Sequence, residues 1–211
     1  MKKLIMKKLI LTVFILLLSA YSTGAEVLTC SDCSLAEVQS KVTKAVSGDT
    51  VVVPACETTI WYNQFIVDKS INLIGAGAGV TNIICRSGAN VPFIKIIPDS
   101  ENVFRLSGFT FDGQLTNDGL LLSHQDTKEY ANIRIDHNEF LNFQASSPTL
   151  PWTMMGTVRG VVDNNLFTGY PHFDNSGSTP GKYDWENRVY VPGDPNSVYY
   201  EDNVIRTQTP T

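Results

Sequence analysis

The 211-residue chain has little histidine, little cysteine and few basic groups, and each shortage removes a class of function. Three histidines, at 124, 137 and 172, fall at no spacing that links them to a serine nucleophile or to one another as metal ligands. The cysteines number four: Cys30, Cys33, Cys56 and Cys85. Cys30 and Cys33 form one close pair with no second close pair to complete a zinc site. No βαβ pattern surrounds them to suggest a redox motif. Sixteen Lys and Arg stand against 21 Asp and Glu, and four of the lysines lie before residue 9. Without residues 1–25 the net charge is −9, which gives the chain no electrostatic reason to bind nucleic acid or an anionic membrane. Helical periodicity is nearly absent, so repeated βα units are not expected.

Long apolar runs are absent except at 9–20, which is short for a spanning helix. Lys2, Lys3, Lys7 and Lys8 precede it, and Thr23, Gly24 and Ala25 supply small residues for cleavage. That order predicts a signal peptide over 1–25, hence a secreted or periplasmic protein with no stable membrane insertion after cleavage. In such a compartment an even cysteine count predicts two structural disulfides, with the pairing left open.

What is present is repetition. The strings Ile133-Arg-Ile-Asp-His-Asn138, Gly160-Val-Val-Asp-Asn-Asn165 and Val198-Tyr-Tyr-Glu-Asp-Asn203 carry one figure, and 104–111 carries a weaker copy. Alignment places Asn138, Asn165 and Asn203 in one column, with Phe109 there in the weaker copy. Leu106, Ile135, Val162 and Tyr200 share another, and Gly108, His137, Asn164 and Asp202 a third. A spacing of 27 to 38 residues marks a solenoid. Apolar alternation within each copy is the strand period, and the shared asparagines suit a stacked bend in which side-chain amides satisfy buried backbone.

Residues 34–46 alone read as an amphipathic helix, with Leu35, Val38, Val42 and Ala45 on one face, a Ser34/Glu37 capping box, and Gly48 beyond the last turn. A helix just before the first strand can cover the open end of a solenoid, so 26–48 is expected as an N-terminal cap. The glycines at 75, 77 and 79 follow a strand as in a dinucleotide loop. A further β run follows them where that motif needs a helix, so they read as tight turns. Residues 49–211 then form the coils, with a protruding loop at 171–197. No polar or helical segment follows the last repeat, which predicts further coils beyond Thr211. The fold expected is all-β: a right-handed parallel β-helix with an N-terminal capping helix.

The strings Cys33-Ser-Leu-Ala-Glu-Val-Gln39, Gly48-Asp-Thr-Val-Val-Val-Pro-Ala55, Ile74-Gly-Ala-Gly77 and Leu106-Ser-Gly-Phe-Thr-Phe-Asp-Gly113 resemble secreted pectate-lyase-like β-helix proteins. Ile135-Asp-His137 is similar to the Trp-Ile-Asp-His element of pectate lyases, with Arg134 in place of the Trp. The resemblance covers nearly all of the chain after residue 25. It implies the β-helix fold and a carbohydrate-directed role, within a group that includes lyases, polygalacturonases, phage tailspikes and adhesins. The partner so implied is a polysaccharide or cell-surface glycan.

If Ile133 and Ile135 point inward, Arg134 and Asp136 point outward, and the same register sends out Arg105, Asp163, Tyr199 and Glu201. Asp136 and Asp163 are then candidate catalytic groups with Arg134, either as the acid and nucleophile of a hydrolase or in a lyase where a base removes the proton beside a uronate. Asp136, Asp163 and Glu201 are candidate Ca²⁺ ligands, with a shared proton as the other relief of their repulsion. Arg105 and Tyr199, with Tyr183 and Trp185 from the loop, are candidate sugar contacts. Aspartate before a bend is also ordinary turn chemistry. His137 reads as a turn residue, with an acid/base role as the alternative. The function expected is cleavage of an acidic polysaccharide in a groove on the outer sheet face, the alternative being a non-catalytic adhesin or tailspike-like glycan binder.

Overall fold

A computed structural model describes residues 24–87, 92–115, 118–124, 130–143, 152–169, 173–174 and 193–207. The expected signal peptide lies outside them up to residue 23, and so do Tyr183 and Trp185. The chain is all-β, with strands in parallel sheets and, among the described residues, one α-helix, Leu35–Lys44.

Three parallel sheets organise the strands. The first holds Val27–Thr29, Thr50–Val52, Asn72–Ile74, Val103–Ser107, Ala131–Asp136, Val158–Asp163 and Val198–Glu201, in that order. The second holds Phe65–Val67, Pro92–Ile96, Asp118–His124, Trp152–Gly156 and Phe173–Asp174. The third holds Cys56–Trp61, Thr81–Cys85, Thr110–Asp112, Glu139–Phe143, Leu166–Gly169 and Val204–Thr207. From Asn72 on, the chain visits the first, third and second sheets in rotation, and each strand pairs with its counterpart one circuit later. Ile135 lies opposite both Leu106 and Val162, and Val162 opposite Tyr200, which is the register of the repeat.

Period-two alternation explains what lies inside. Leu106, Ile133, Ile135 and Val162 are buried, whereas Tyr200 is 38% exposed. Phenylalanines from successive circuits stack in the core: Phe111 on Phe140 at 5.6 Å and Phe140 on Phe167 at 5.3 Å between ring centres. Trp61 is fully buried, and its indole nitrogen donates to Cys33 O at 2.9 Å.

The asparagine column forms a continuous ladder. Asn138 Oδ1 accepts from Phe109 N at 3.1 Å, Asn165 Oδ1 from Asn138 N at 3.0 Å, and Asn203 Oδ1 from Asn165 N at 3.0 Å. The residue before each rung (Gly108, His137, Asn164 and Asp202) has a positive φ between 51° and 81°. Glycine takes that conformation without strain, and Asn and Asp tolerate it better than most residues. A second glycine is required by crowding: a Cβ on Gly75 would sit 2.2 Å from Gly108 O.

The helix starts on Ser34, whose Oγ accepts from Glu37 N at 3.3 Å. Glu37 does not return the bond to Ser34, as a capping box would have it. Its carboxylate accepts from Ser31 N at 3.0 Å, because Asp32 Oδ1 already takes Ser34 N at 2.8 Å. Val38 and Val42 are buried, and Gln39 bonds both backbone groups of Ile66. Replacing Ser34 by alanine removes one of these bonds and is expected to lower stability by about 1 kcal/mol, read as a lower urea midpoint. A helix cap that contributes nothing would leave the midpoint in place.

The disulfide expectation needs correction. Cys33 and Cys56 are bonded, Cα atoms 6.5 Å apart, which ties the helix segment to the third sheet. Cys30 and Cys85 are buried thiols that do not join each other. Cys30 follows the first strand of the first sheet and donates its backbone N–H to Val52 O, while Cys85 lies opposite Trp61 in the third sheet. The 171–197 loop also needs amending: Phe173–Asp174 continues the second sheet beside Trp152 and Thr153. No helix among the described residues is long and apolar enough to cross a membrane.

Candidate functional site

The outward residues of three neighbouring first-sheet strands build a network of alternating charge. Register puts Arg105 beside Arg134, and Asp136 beside Ser107 on one flank and Asp163 on the other. Arg105 reaches one strand along and clasps Asp136 with two bonds, Nε to Oδ1 at 2.8 Å and Nη2 to Oδ2 at 2.6 Å. Ser107 Oγ donates to Asp136 Oδ2 at 3.2 Å, and His137 Nδ1 lies 2.8 Å from the same oxygen. Arg134 spans the two acids, with Nε 3.4 Å from Asp136 Oδ1 and Nη2 3.1 Å from Asp163 Oδ2. Asn164 Nδ2 donates to that Asp163 oxygen at 2.8 Å.

Asp136 therefore faces outward yet has no exposed surface, because its neighbours close over it. Burial works against its ionisation. The hydrogen bonds from Arg105 and His137, with the charges of Arg105 and Arg134, outweigh burial and hold the carboxyl below the usual carboxylate range. In return, the hydrogen bond to Asp136 raises the already high pKa of Arg105. The arginine side chains stay partly open, Arg105 at 39% and Arg134 at 48% exposure. Asp163 is nearly closed, and its Oδ1 is buried without a partner among the described residues. The repeat accounts for this. Asp136 receives an arginine from its own strand and one from the strand before, but the residue that would supply Asp163 from its own strand is Val161.

The arrangement sorts the expected site residues. Arg105, Arg134, Asp136 and Asp163 are brought together. Tyr199 lies one strand further, opposite Val161, with its hydroxyl donating to Asp194 O at 2.8 Å. Glu201 lies opposite Asp163 and is exposed. Arg134 bridges the two buried acids. Among the described residues no three His, Cys, Asp or Glu side chains gather closely enough to hold a metal ion, so Asp136, Asp163 and Glu201 do not make a calcium-binding cluster.

Ser107 and Asn164, which donate to Asp136 and Asp163, were not among the expected site residues, and His137 was expected first as a turn residue. His137 is a turn residue, and it also bonds Asp136 while 62% exposed. It lines an open groove of about 610 Å³ where the first sheet bends into the third. Gly108, Glu139, Asn164, Asp202 and Arg206 are among the other lining residues. No family model matches the sequence, and neither the curated proteins nor the solved structures contain a match to the chain.

Proposed function

We propose that the chain is an exported right-handed parallel β-helix, capped by its helix, that binds an acidic polysaccharide on the outer face of its first sheet. The rotation of strands among three parallel sheets and the asparagine ladder support the fold reading. The order of residues in 1–25 and the Cys33–Cys56 disulfide support export to an oxidising compartment.

The observation that carries the binding reading is the pair Arg105 and Arg134. They lie on adjacent strands, about 4.8 Å apart in a parallel sheet. The acids beneath hold both guanidiniums in place while leaving them open to solvent. Fixed, partly exposed guanidiniums suit carboxylates repeated along a chain, and little side-chain entropy remains to be lost on binding. A hydrolase with Asp136 as acid or nucleophile would need that carboxylate to touch the sugar. Its enclosure removes the contact, which favours a glycan binder of the adhesin or tailspike kind over a hydrolase using Asp136.

The test is titration with an oligogalacturonate and with a neutral glucan. Wild type is expected to bind the first and not the second. Arg134→Gln is expected to weaken binding about tenfold, the worth of one charge-assisted hydrogen bond, with Arg134→Lys between the two. Equal binding of both glycans, or an unaltered Arg134→Gln, would remove the reading.

A further inference from the structure

The two buried aspartates of the first sheet are built on one plan, and Asp163 lacks one of its donors. On each, Oδ2 takes an arginine Nη2 from the strand before and a bond from the residue that follows. These are Arg105 at 2.6 Å and His137 at 2.8 Å on Asp136, and Arg134 at 3.1 Å and Asn164 at 2.8 Å on Asp163. On Asp136 the other oxygen, Oδ1, receives Arg105 Nε at 2.8 Å and, at 3.4 Å, the Nε of Arg134 from its own strand. On Asp163 that oxygen receives nothing among the described residues, although Asp163 is only 7% exposed. The own-strand position that would serve it holds Val161. Arg159, two residues further back, turns instead to Asn132 Oδ1 at 2.7 Å and Asn196 Oδ1 at 3.4 Å. A buried carboxylate oxygen without a donor is costly, and a cationic donor relieves it best.

We propose that Asp163 Oδ1 anchors a site for an alkylguanidinium, the head group of an arginine side chain on a protein partner. The repeat identifies the ligand's chemistry, since the group that fills the equivalent place on Asp136 is itself a guanidinium. Charge agrees. Arg134 is shared between Asp136 and Asp163, and Glu201, opposite Asp163 on the next strand, adds an exposed carboxylate. Tyr199 lies opposite Val161, so a guanidinium laid over Val161 has that ring beside it, about 4.8 Å away across the parallel sheet. The place is an open sheet face, with Val161 and Tyr199 half-buried, whereas sites for free small molecules enclose most of the ligand. A side chain carried by a larger partner fits such a face. Oδ1 itself is covered, so docking includes a turn of the side chains around it, of which Glu201 is the most open. The inference does not depend on the acidic-glycan reading, which stands on Arg105 and Arg134.

The probe is N-acetylarginine methylamide, an arginine as it stands within a peptide, with N-acetylcitrulline methylamide as its neutral isostere. In ¹⁵N-labelled protein the arginine compound is expected to shift the backbone amide signals of residues 161–164 and 201 saturably, and the citrulline compound to shift none. Asp163→Asn is expected to weaken binding about tenfold or more, the loss of one charge-assisted hydrogen bond. Val161→Arg tests the same site without touching the acid, because it supplies the guanidinium from within the chain. It is expected to abolish the shifts and to raise the urea midpoint above that of Val161→Gln, which lengthens the side chain without charge. The inference is overturned if the arginine compound shifts none of these signals, if the citrulline compound shifts them equally, or if Val161→Arg binds as wild type does. A Val161→Arg midpoint no higher than that of Val161→Gln overturns it as well. Tighter binding of free arginine than of the capped compound removes the protein partner, and calcium chloride acting on the same signals at lower concentration removes the guanidinium.

Discussion

Asn138→Ala is expected to lower folding stability by about 3–5 kcal/mol, the sum of an unpaired buried amide, two lost hydrogen bonds and a small cavity. Asn138 is 1% exposed. Its Oδ1 accepts from Phe109 N, and its Nδ2 lies 3.0 Å from Leu106 O, 2.9 Å from Asp136 O and 3.1 Å from Asn165 Oδ1. Alanine leaves the Phe109 amide with no acceptor in a place water does not reach. The two carbonyls lose a donor as well. Asn138→Asp is expected to do no better, because it sets an acceptor against those carbonyls. Urea unfolding followed by circular dichroism measures the effect. A midpoint within error of wild type would mean that the ladder is not a source of stability.

Asp136→Ala is expected to cost about 2–3 kcal/mol at neutral pH. Removing one partner of a buried ion pair costs about 3–5 kcal/mol, and the figure is discounted here because both arginines reach solvent. The pH dependence has a definite sign. The folded carboxyl titrates below its unfolded value of about 4. Its stabilisation is therefore complete above that value and is lost as pH falls through the lower folded pKa. The gap between wild type and Asp136→Ala should be full at pH 7 and narrow on acidification below about 4. Urea midpoints across this range read it, and a gap independent of pH would show that the carboxylate is not the source.

Much of the architecture was legible because each circuit rewrites the same pattern. The columns of Leu106, Ile135 and Val162 and of Asn138, Asn165 and Asn203 are aligned in the chain as they are in space. The outward direction of Arg105, Arg134, Asp136 and Asp163 followed from strand period alone. Alternation gives direction, however, and not cover. Asp136 is closed over because Arg105, one circuit away, is long enough to reach across the ladder. Alternation also separates residues 136 and 137, since neighbours in a strand point to opposite faces. The left-handed φ of 55° at His137 breaks that rule and accompanies the ring's return to Asp136. The cysteine pairing was hidden for a related reason. It depends on which wall each thiol reaches, and the helix segment that carries Cys33 folds across to the third sheet, where Cys56 lies.

The acidic-glycan account stands on two arginine side chains and can be read at them. The Nε–Hε signals of Arg105 and Arg134 can be assigned in a ¹⁵N-labelled protein from their loss in Arg105→Gln and Arg134→Gln. Addition of oligogalacturonate is predicted to shift both signals together and saturably, while a neutral glucan of the same length shifts neither. Saturable binding of oligogalacturonate that leaves both arginine signals unmoved would contradict the account.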